Sequence, residues 1–515
     1  MASKILWADD EIELLKPHVL FLQEKGFDVT TVNNGMDAAE RVEEESFDIV
    51  FLDENMPGLS GLETLSRIKE TNPTVPVVMI TKSEEETIME EAIGSKISDY
   101  LIKPVNPNQI LLSIKKNLDN KKLINEKTTS NYQAAFRSIG MALSDRLDFE
   151  DWVDVYQKLV YWELELESGS DGVMEEVLTM QKTEANSYFA KYVADNYIDW
   201  LNGLGDAPLM SSNVIKEKVV PELEEGPLFL IMIDNLRYDQ WKVIAPVLSD
   251  LYTIESEEIY CSILPTATQY ARNAFFAGLM PSEIQKVYPK LWKNDEEEGG
   301  KNLHEEEFLQ GNLKRLGLDI KSSYNKITRL EAGRKLADNI SNLMNNQLNV
   351  IVYNFVDMLS HARTDMEVIR ELADDDSAYR SLTLSWFEHS PLKQMLTNIA
   401  EKGGKVLITT DHGTIQVNDP VKVVGDRNTS TNLRYKQGRN LNYNPKEVFA
   451  VTKPEDAYLP KTNVSSSYIF AREREYLVYP NNYNHFMKFY KDTFQHGGIS
   501  LEEMLIPIAV LKSRS

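Results

Sequence analysis

Cysteine is almost missing from this chain, one residue in 515. A lone thiol excludes an intrachain disulfide and a thiolate zinc site, so metal binding would have to use other side chains. Histidine is scarce too, at seven residues. Positive charge is in deficit: 55 Lys and Arg against 80 Asp and Glu leave a formal −25. That field repels phosphate backbones and argues against direct duplex DNA binding. No apolar run reaches the roughly 20 residues of a membrane span, and the opening "MASKILWADDEIELL" carries acids too early for a signal peptide. The expectation is a cytoplasmic protein without membrane insertion. What is present is a 42% hydrophobic content, enough to fill two or three cores in a soluble, multidomain chain.

Residues 1–120 alternate apolar runs ("KILWA", "DVTTV", "DIVFLD", "VPVVMIT", "DYLIKP") with amphipathic stretches such as "GLETLSRIKE". This rhythm predicts a parallel sheet with helices on both faces. Ligands of such sheets gather at the carboxyl ends of the strands, where Asp9, Asp10, Asp53, Thr81 and Lys103 fall. Carboxylates crowded into one crevice repel one another unless a divalent cation joins them. A hard ion such as Mg²⁺ is therefore implied.

The motifs "DD", "DENMPG", "MIT" and "YLIKP", in this order, resemble the flavodoxin-like receiver domain of two-component response regulators. The resemblance implies Asp53 as phosphoacceptor, with Asp10, Asp53 and the backbone carbonyl of Asn55 holding Mg²⁺ and Asp9 supporting the pocket. It implies Thr81 and Lys103 as contacts to phosphoryl oxygens, Tyr100 as an aromatic switch and a sensor histidine kinase as partner. It also implies that phosphorylated receivers pair through the fourth helix, fifth strand and fifth helix, giving a phosphorylation-favoured homodimer.

Strand signals vanish over residues 121–205, which read as a helical middle domain. Trp152, Tyr156, Leu159 and Trp162 share one helical face. A packed helix interface is favoured over a platform for stacking bases. The last receiver helix runs into this segment without a Gly or Pro break. The acidic stretch "NDEEEGGKNLHEEEF" reads as a solvated insertion.

The α/β alternation resumes over residues 206–515. "LFLIMI" ends in Asp234, "LNVIVYNFV" in Asp357 and "KVLITT" in Asp411, an acid after each of three buried strands. His361 lies four residues past Asp357, His412 follows Asp411, and His496 sits in the glycine-flanked "FQHGG". Asp357 and His361 share a face if a helix begins there. Asp411 and His412 can converge only where the chain leaves its strand, a departure that Gly413 permits. Mixed Asp and His donors suit Zn²⁺ or Mn²⁺, and six are too many for one catalytic zinc. Two metals are the economical reading. "ILPTATQYARNAFFAG" offers Thr266 and Thr268 at the start of a helical stretch, where backbone N–H groups favour an anion. A threonine hydroxyl becomes a competent nucleophile when a metal favours its alkoxide.

"IDNLR", "PTAT", "FVDMLSH", "TTDHG" and "HGG", in this order, resemble the alkaline phosphatase superfamily, specifically its PglZ branch. The resemblance implies an alkaline-phosphatase-like α/β domain with two Zn²⁺, one held by Asp357, His361 and His496 and the other by Asp234, Asp411 and His412. Thr268 bridges them as nucleophile, chosen over Thr266 by the family's preference for the second position of "PTxT". Arg272 and Asn273 are candidates to bind phosphoryl oxygens. The whole chain resembles the PorX-type response regulators, a family associated with control of the type IX secretion system. After "DHG", the stretch "VKVVGDRNTSTNLRYKQGRNLNYNPK" holds six Lys or Arg against one Asp. It reads equally as a lobe for a nucleotide or oligonucleotide chain or as a polar loop that partners acidic surface. Beyond Arg237 and Arg272 no cationic clamp for a dianionic monoester is visible, which favours phosphodiesters. The expected activity is a receiver-controlled metal-dependent phosphodiesterase. The other reading is an adaptor that binds a partner such as a sigma factor, its metals structural.

Overall fold

A computed structural model of the chain describes residues 3–81, 97–167, 172–354, 356, 359, 375–426 and 429–514. It divides into two compact units, Met1–Gln133 and Ala134–Ser515.

In the first unit five parallel strands, β1 (Lys4–Ala8), β2 (Asp28–Val32), β3 (Ile49–Asp53), β4 (Val77–Thr81) and β5 (Asp99–Ile102), are ordered β2-β1-β3-β4-β5. β3 and β4 are buried along their whole length, as parallel strands covered on both faces must be. Two of the helices start where the sequence supplies side-chain caps. Asn34 accepts from the Asp37 N–H at the start of Gly35–Glu44, and Ser60 with Glu63 forms a capping box before Gly61–Thr71. Every strand expected in this segment is present, and the sheet order is that of the flavodoxin-like receiver. The expected fourth helix falls in 82–96, outside the described residues. The last helix, Pro107–Leu143, is continuous over 37 residues, as the unbroken sequence suggests.

The second unit opens with the helices Phe149–Glu167 and Gly172–Leu201. The stripe is core at Trp152, Tyr156 and Leu159, with Trp162 half-buried. Trp152 meets Phe189 edge-on at 5.4 Å, Tyr156 packs on Tyr238 at 5.8 Å, and both Trp152 and Tyr156 are buried. A six-stranded sheet follows, built from β6 (Leu228–Ile233), β7 (Tyr252–Cys261), β8 (Ser322–Ile327), β9 (Leu348–Tyr353), β10 (Lys405–Thr409) and, last in sequence, a strand over Leu505–Ser513. Between β10 and that last strand come β11 (Ile415–Gln416), β12 (Asp419–Lys422), β13 (Tyr435–Arg439), β14 (Val448–Val451), β15 (Ser466–Ala471), β16 (Glu475–Val478) and β17 (Phe494–Gln495). These pair as β11 with β17, β12 with β16, and β13-β15-β14. With Leu505–Ser513 as β18, the large sheet is ordered β7-β18-β10-β6-β9-β8.

β10, β6 and β9 are adjacent and parallel, with Met232 opposite Thr409 and Ile233 opposite Tyr353. Their carboxyl ends therefore emerge side by side. The residues just past them, Asp234, Asn354 and Asp411, are placed by strand register alone.

Candidate active site

In the receiver unit the strand-end acids converge as expected. One carboxylate oxygen each of Asp9, Asp10 and Asp53 lies within 4.8 Å of the others. Lys103 Nζ bridges Asp9 Oδ2 at 2.9 Å and Asp53 Oδ1 at 2.8 Å. Burial raises the Asp53 pKa, Asp9 and Asp10 raise it further, and the Lys103 hydrogen bond opposes them. Thr81 is buried and hydrogen-bonded to the half-buried Tyr100. Asn55 is exposed just beyond β3. The three carboxylates are a donor set that suits a small oxygen-seeking cation.

In the second unit Asp234, Asp411 and His412 are fully buried, and one donor atom of each falls within 4.8 Å of the others. The turn after β10 explains how Asp411 and His412 meet. Thr410 Oγ1 donates to the His412 carbonyl (2.9 Å) and accepts from the Leu236 N–H (3.0 Å), while Asp411 Oδ1 accepts from the Asn235 N–H (3.3 Å). His412 Nδ1 donates to the Gly413 carbonyl at 3.0 Å. Its neutral tautomer then presents the Nε2 lone pair to the site. Burial holds the imidazole below its ordinary pKa. Burial likewise pushes Asp234 up to about 6, opposed by Arg272.

Thr268, the first residue of the helix Thr268–Ala277, puts Oγ1 3.0 Å from His412 Nε2 and 3.4 Å from Asp234 Oδ1. Thr266 is differently placed. Its hydroxyl donates to the Gly498 carbonyl at 2.8 Å and accepts from the Gly497 N–H at 3.0 Å. His496 Nδ1 donates to the Thr266 carbonyl at 3.1 Å, and the His496 ring stacks on His412 at 4.2 Å. Asp357 and His361 lie outside the described residues.

Three expected substrate contacts are engaged elsewhere. Arg272 is buried, with Nη1 2.7 Å from Asp234 Oδ2 and Nε 2.5 Å from Glu305 Oε1, so its charge is spent on internal carboxylates. Asn273 donates to the Lys301 carbonyl (3.2 Å) and accepts from Asn302 (3.1 Å), which makes it a tether for that segment. Arg237 pairs with Asp239 and, at 2.5 Å, with Asp376. In the basic loop Arg434 and Lys436 are buried, Arg434 against Glu503, which leaves Lys422, Arg439 and Lys446 exposed among its described residues.

Sequence reasoning missed several groups. Asn354 Nδ2 donates to Asp234 Oδ2 at 2.8 Å; a polar residue at the end of the apolar run "LNVIVY" is the signal that could have found it. Asn302 donates to the Thr268 carbonyl at 2.9 Å. Glu305 accepts from Arg272, Tyr324 and Lys326. Both belong to the acidic stretch read as a solvated insertion. Its residues 296–300 are exposed, whereas Asp295 accepts from Tyr270 and Tyr435 and Glu305 is buried.

Residues 214–511, more than half of the chain, match the family described as the BREX system PglZ alkaline phosphatase-like domain. The chain belongs to the PglZ family. Ahead of its PglZ domain, residues 5–115 match the response regulator receiver domain and residues 122–201 the PorX response regulator linker domain, which together make the PorX-type fusion. Over 136 residues the chain is 35% identical to the transcriptional regulatory protein ZraR of Klebsiella oxytoca, covering 26% of this chain and 31% of that protein. Over 115 residues it is 39% identical to the CpxR homolog of Haemophilus influenzae, covering 22% and 49%. The chain thus spans about a third to a half of the length of these relatives. Among solved structures it is similar to a receiver domain protein from Clostridium thermocellum, with 30% identity, 24% of this chain and 98% of that chain covered, and a TM-score of 0.23. Among the described residues no helix is long and apolar enough to cross a membrane.

Proposed function

We propose that this PglZ protein is a response regulator, phosphorylated on Asp53 by a sensor histidine kinase, whose C-terminal domain is a zinc-dependent phosphodiesterase for nucleotide-type substrates. The observation that carries the reading is the approach of Thr268 Oγ1 to His412 Nε2 and Asp234, beside a Thr266 hydroxyl that is already committed on both sides. Asp234, Asp411 and His412 would hold one Zn²⁺ and Asp357, His361 and His496 the other. The donor distances and the His412 tautomer fit the first set.

Zinc bound there supplies Lewis-acid stabilisation of the phosphoryl oxygens and favours the deprotonated hydroxyl. The chain itself does the positioning. Thr268 opens its helix, so its oxygen stands at a helix start, an end of the helix that favours an anionic phosphoryl group. In-line attack of Oγ1 on phosphorus breaks the bond to the leaving alcohol, which takes up the proton that Thr268 lost. Water then hydrolyses the phosphothreonine and restores the hydroxyl. Arg237 and Arg272 are neutralised by Asp239, Asp376, Asp234 and Glu305. With neither of these two arginines available as a clamp, a second negative charge on the substrate is costly, which supports diesters over monoesters.

The test measures metal content and hydrolysis of bis(p-nitrophenyl) phosphate and p-nitrophenyl phosphate side by side. Zinc-dependent turnover with the diester preferred is expected. A zinc-replete, folded protein that turns over neither ester sinks the proposal. In the receiver, Asp10, Asp53 and the Asn55 carbonyl would hold Mg²⁺, and phosphorylation would favour a homodimer. The PorX-type architecture supports a role in type IX secretion, for which a chromosomal Asp53→Ala change that leaves secretion intact would count against the reading.

A further inference from the structure

The helix Gly172–Leu201 belongs to the linker by sequence, yet two of its side chains hold the turns that carry the candidate site. Asn186 is buried. Its Oδ1 accepts from the Leu501 N–H at 2.8 Å, and its Nδ2 donates to Glu502 Oε2 at 3.1 Å. Glu502 and Glu503 lie in the short helix Leu501–Met504 that backs the metal-ligand turn. Glu503 accepts from the Gly413 N–H at 3.1 Å, and the Glu502 carbonyl presses so close that a Cβ on Gly413 would lie 1.9 Å from its oxygen. The carbonyl of this same Gly413 fixes His412 through Nδ1. On the far side of the short helix, the Met504 carbonyl accepts from the Ser262 N–H (2.8 Å), and Ser262 Oγ donates to the Asp411 carbonyl (2.7 Å). Eleven residues along the linker helix, about three turns, the buried Tyr197 hydroxyl accepts from the Leu264 N–H at 2.8 Å, in the stretch that leads to Thr268.

We infer that Asn186 is a positioning residue for the metal–nucleophile site: the linker helix sets His412 and Asp411 through the Leu501–Met504 helix, with Tyr197 as a second anchor. The inference rests on the metal reading above for what the site binds, and on the contacts themselves for how it is held. Groups bonded directly to a metal ligand commonly change metal affinity or activity by about 10–100-fold when removed; Asn186 acts from further out, through the short helix and Gly413, so the low end of that range is expected.

Full-length apo protein in excess Mg²⁺ is titrated with Zn²⁺ as Asn186→Leu, as Asn186→Asp, and as Asn186→Asp combined with Glu502→Gln. The last pair keeps the net charge and reverses the hydrogen bond, with the introduced amide at position 502 donating to the introduced carboxylate at position 186. Either single change should weaken Zn²⁺ binding about tenfold and lower kcat with little change in KM, and the double change should recover most of both. Hydrogen exchange of the peptide spanning 410–416 is followed in parallel without metal; it should quicken in the single variants and slow again in the double. If Asn186→Leu does not fold, Asn186→Asp against the double variant decides. Wild-type zinc affinity and wild-type exchange in a folded Asn186→Asp protein would overturn the inference, as would a double variant no closer to wild type than the single. A wild-type protein that binds no Zn²⁺ counts against the metal reading, and the exchange result then decides the positioning role.

Discussion

Thr266 and Thr268, separated by Ala267 in "PTAT", have unlike surroundings. The Thr266 hydroxyl is used twice, by Gly497 and Gly498, and its carbonyl holds His496. Thr268 faces the acid–imidazole cluster. Thr268→Val should therefore cost at least about 10³-fold in kcat while leaving the melting temperature nearly unchanged. Thr266→Val should cost about 1–3 kcal/mol of stability by orphaning two backbone groups, which Thr266→Ser should largely restore. A Thr268→Val enzyme with wild-type turnover would remove it as nucleophile. Gly413→Ala forces a Cβ against backbone that cannot swing aside, and a melting temperature as high as wild type would contradict that packing. Asp234, Asp411 and His412 were legible because an acid or imidazole after a buried strand serves no packing need. Glu305, Asn302 and Asn186 were not. They act through partners 316 residues away in one case, and no local period encodes that.

At the scale of elements, apolar runs announced the five receiver strands and β6, β9 and β10, and register did the rest, while more polar strands such as β7 and β8 gave no such signal. The two readings of the basic loop stayed open because charge counted along a sequence says nothing of which side chains turn inward. Lys436 on β13 is buried, with Nζ 4.5 Å from the centre of the Tyr479 ring, and burial pushes its ammonium down to about 7 from an ordinary 10.5. Between those values the unfolded chain binds a proton that the folded chain does not, so this group makes stability rise with pH from about 7 to about 10.5. Lys436→Met should abolish that rise and be more stable than wild type near neutral pH, where part of the ammonium is still charged in an apolar place. Urea unfolding at the two ends of this window checks it: parallel pH profiles for wild type and Lys436→Met would show that Lys436 stays protonated.

Across the whole molecule the strand–helix alternation disclosed both α/β sheets and the helical segment between them, but not how intimately that segment joins the second sheet. Residues Ala134–Ser515 form one compact unit. Across the join lie the Tyr156–Tyr238 and Tyr197–Phe449 ring contacts, ion pairs of Arg380 with Glu163 and of Lys182 with Asp376 and Glu502, and the Asn186 bonds to residues 501–502. A chain cut at residue 206 would lose Tyr156 and Tyr197, bare Tyr238 and Phe449 on which they pack, and strip Arg380 of the Glu163 carboxylate. Baring large side chains costs about 1.5–3 kcal/mol each, and a buried cation that loses a partner costs a few kcal/mol more, a sum comparable to the whole stability of an ordinary domain. Residues 134–515 should therefore express as a folded protein with full-length zinc affinity, whereas 206–515 should aggregate or fail to bind zinc. Size-exclusion chromatography, circular dichroism and zinc titration of the two truncations decide it, and a monomeric 206–515 with full-length zinc affinity would show that the PglZ domain holds its own site without the linker.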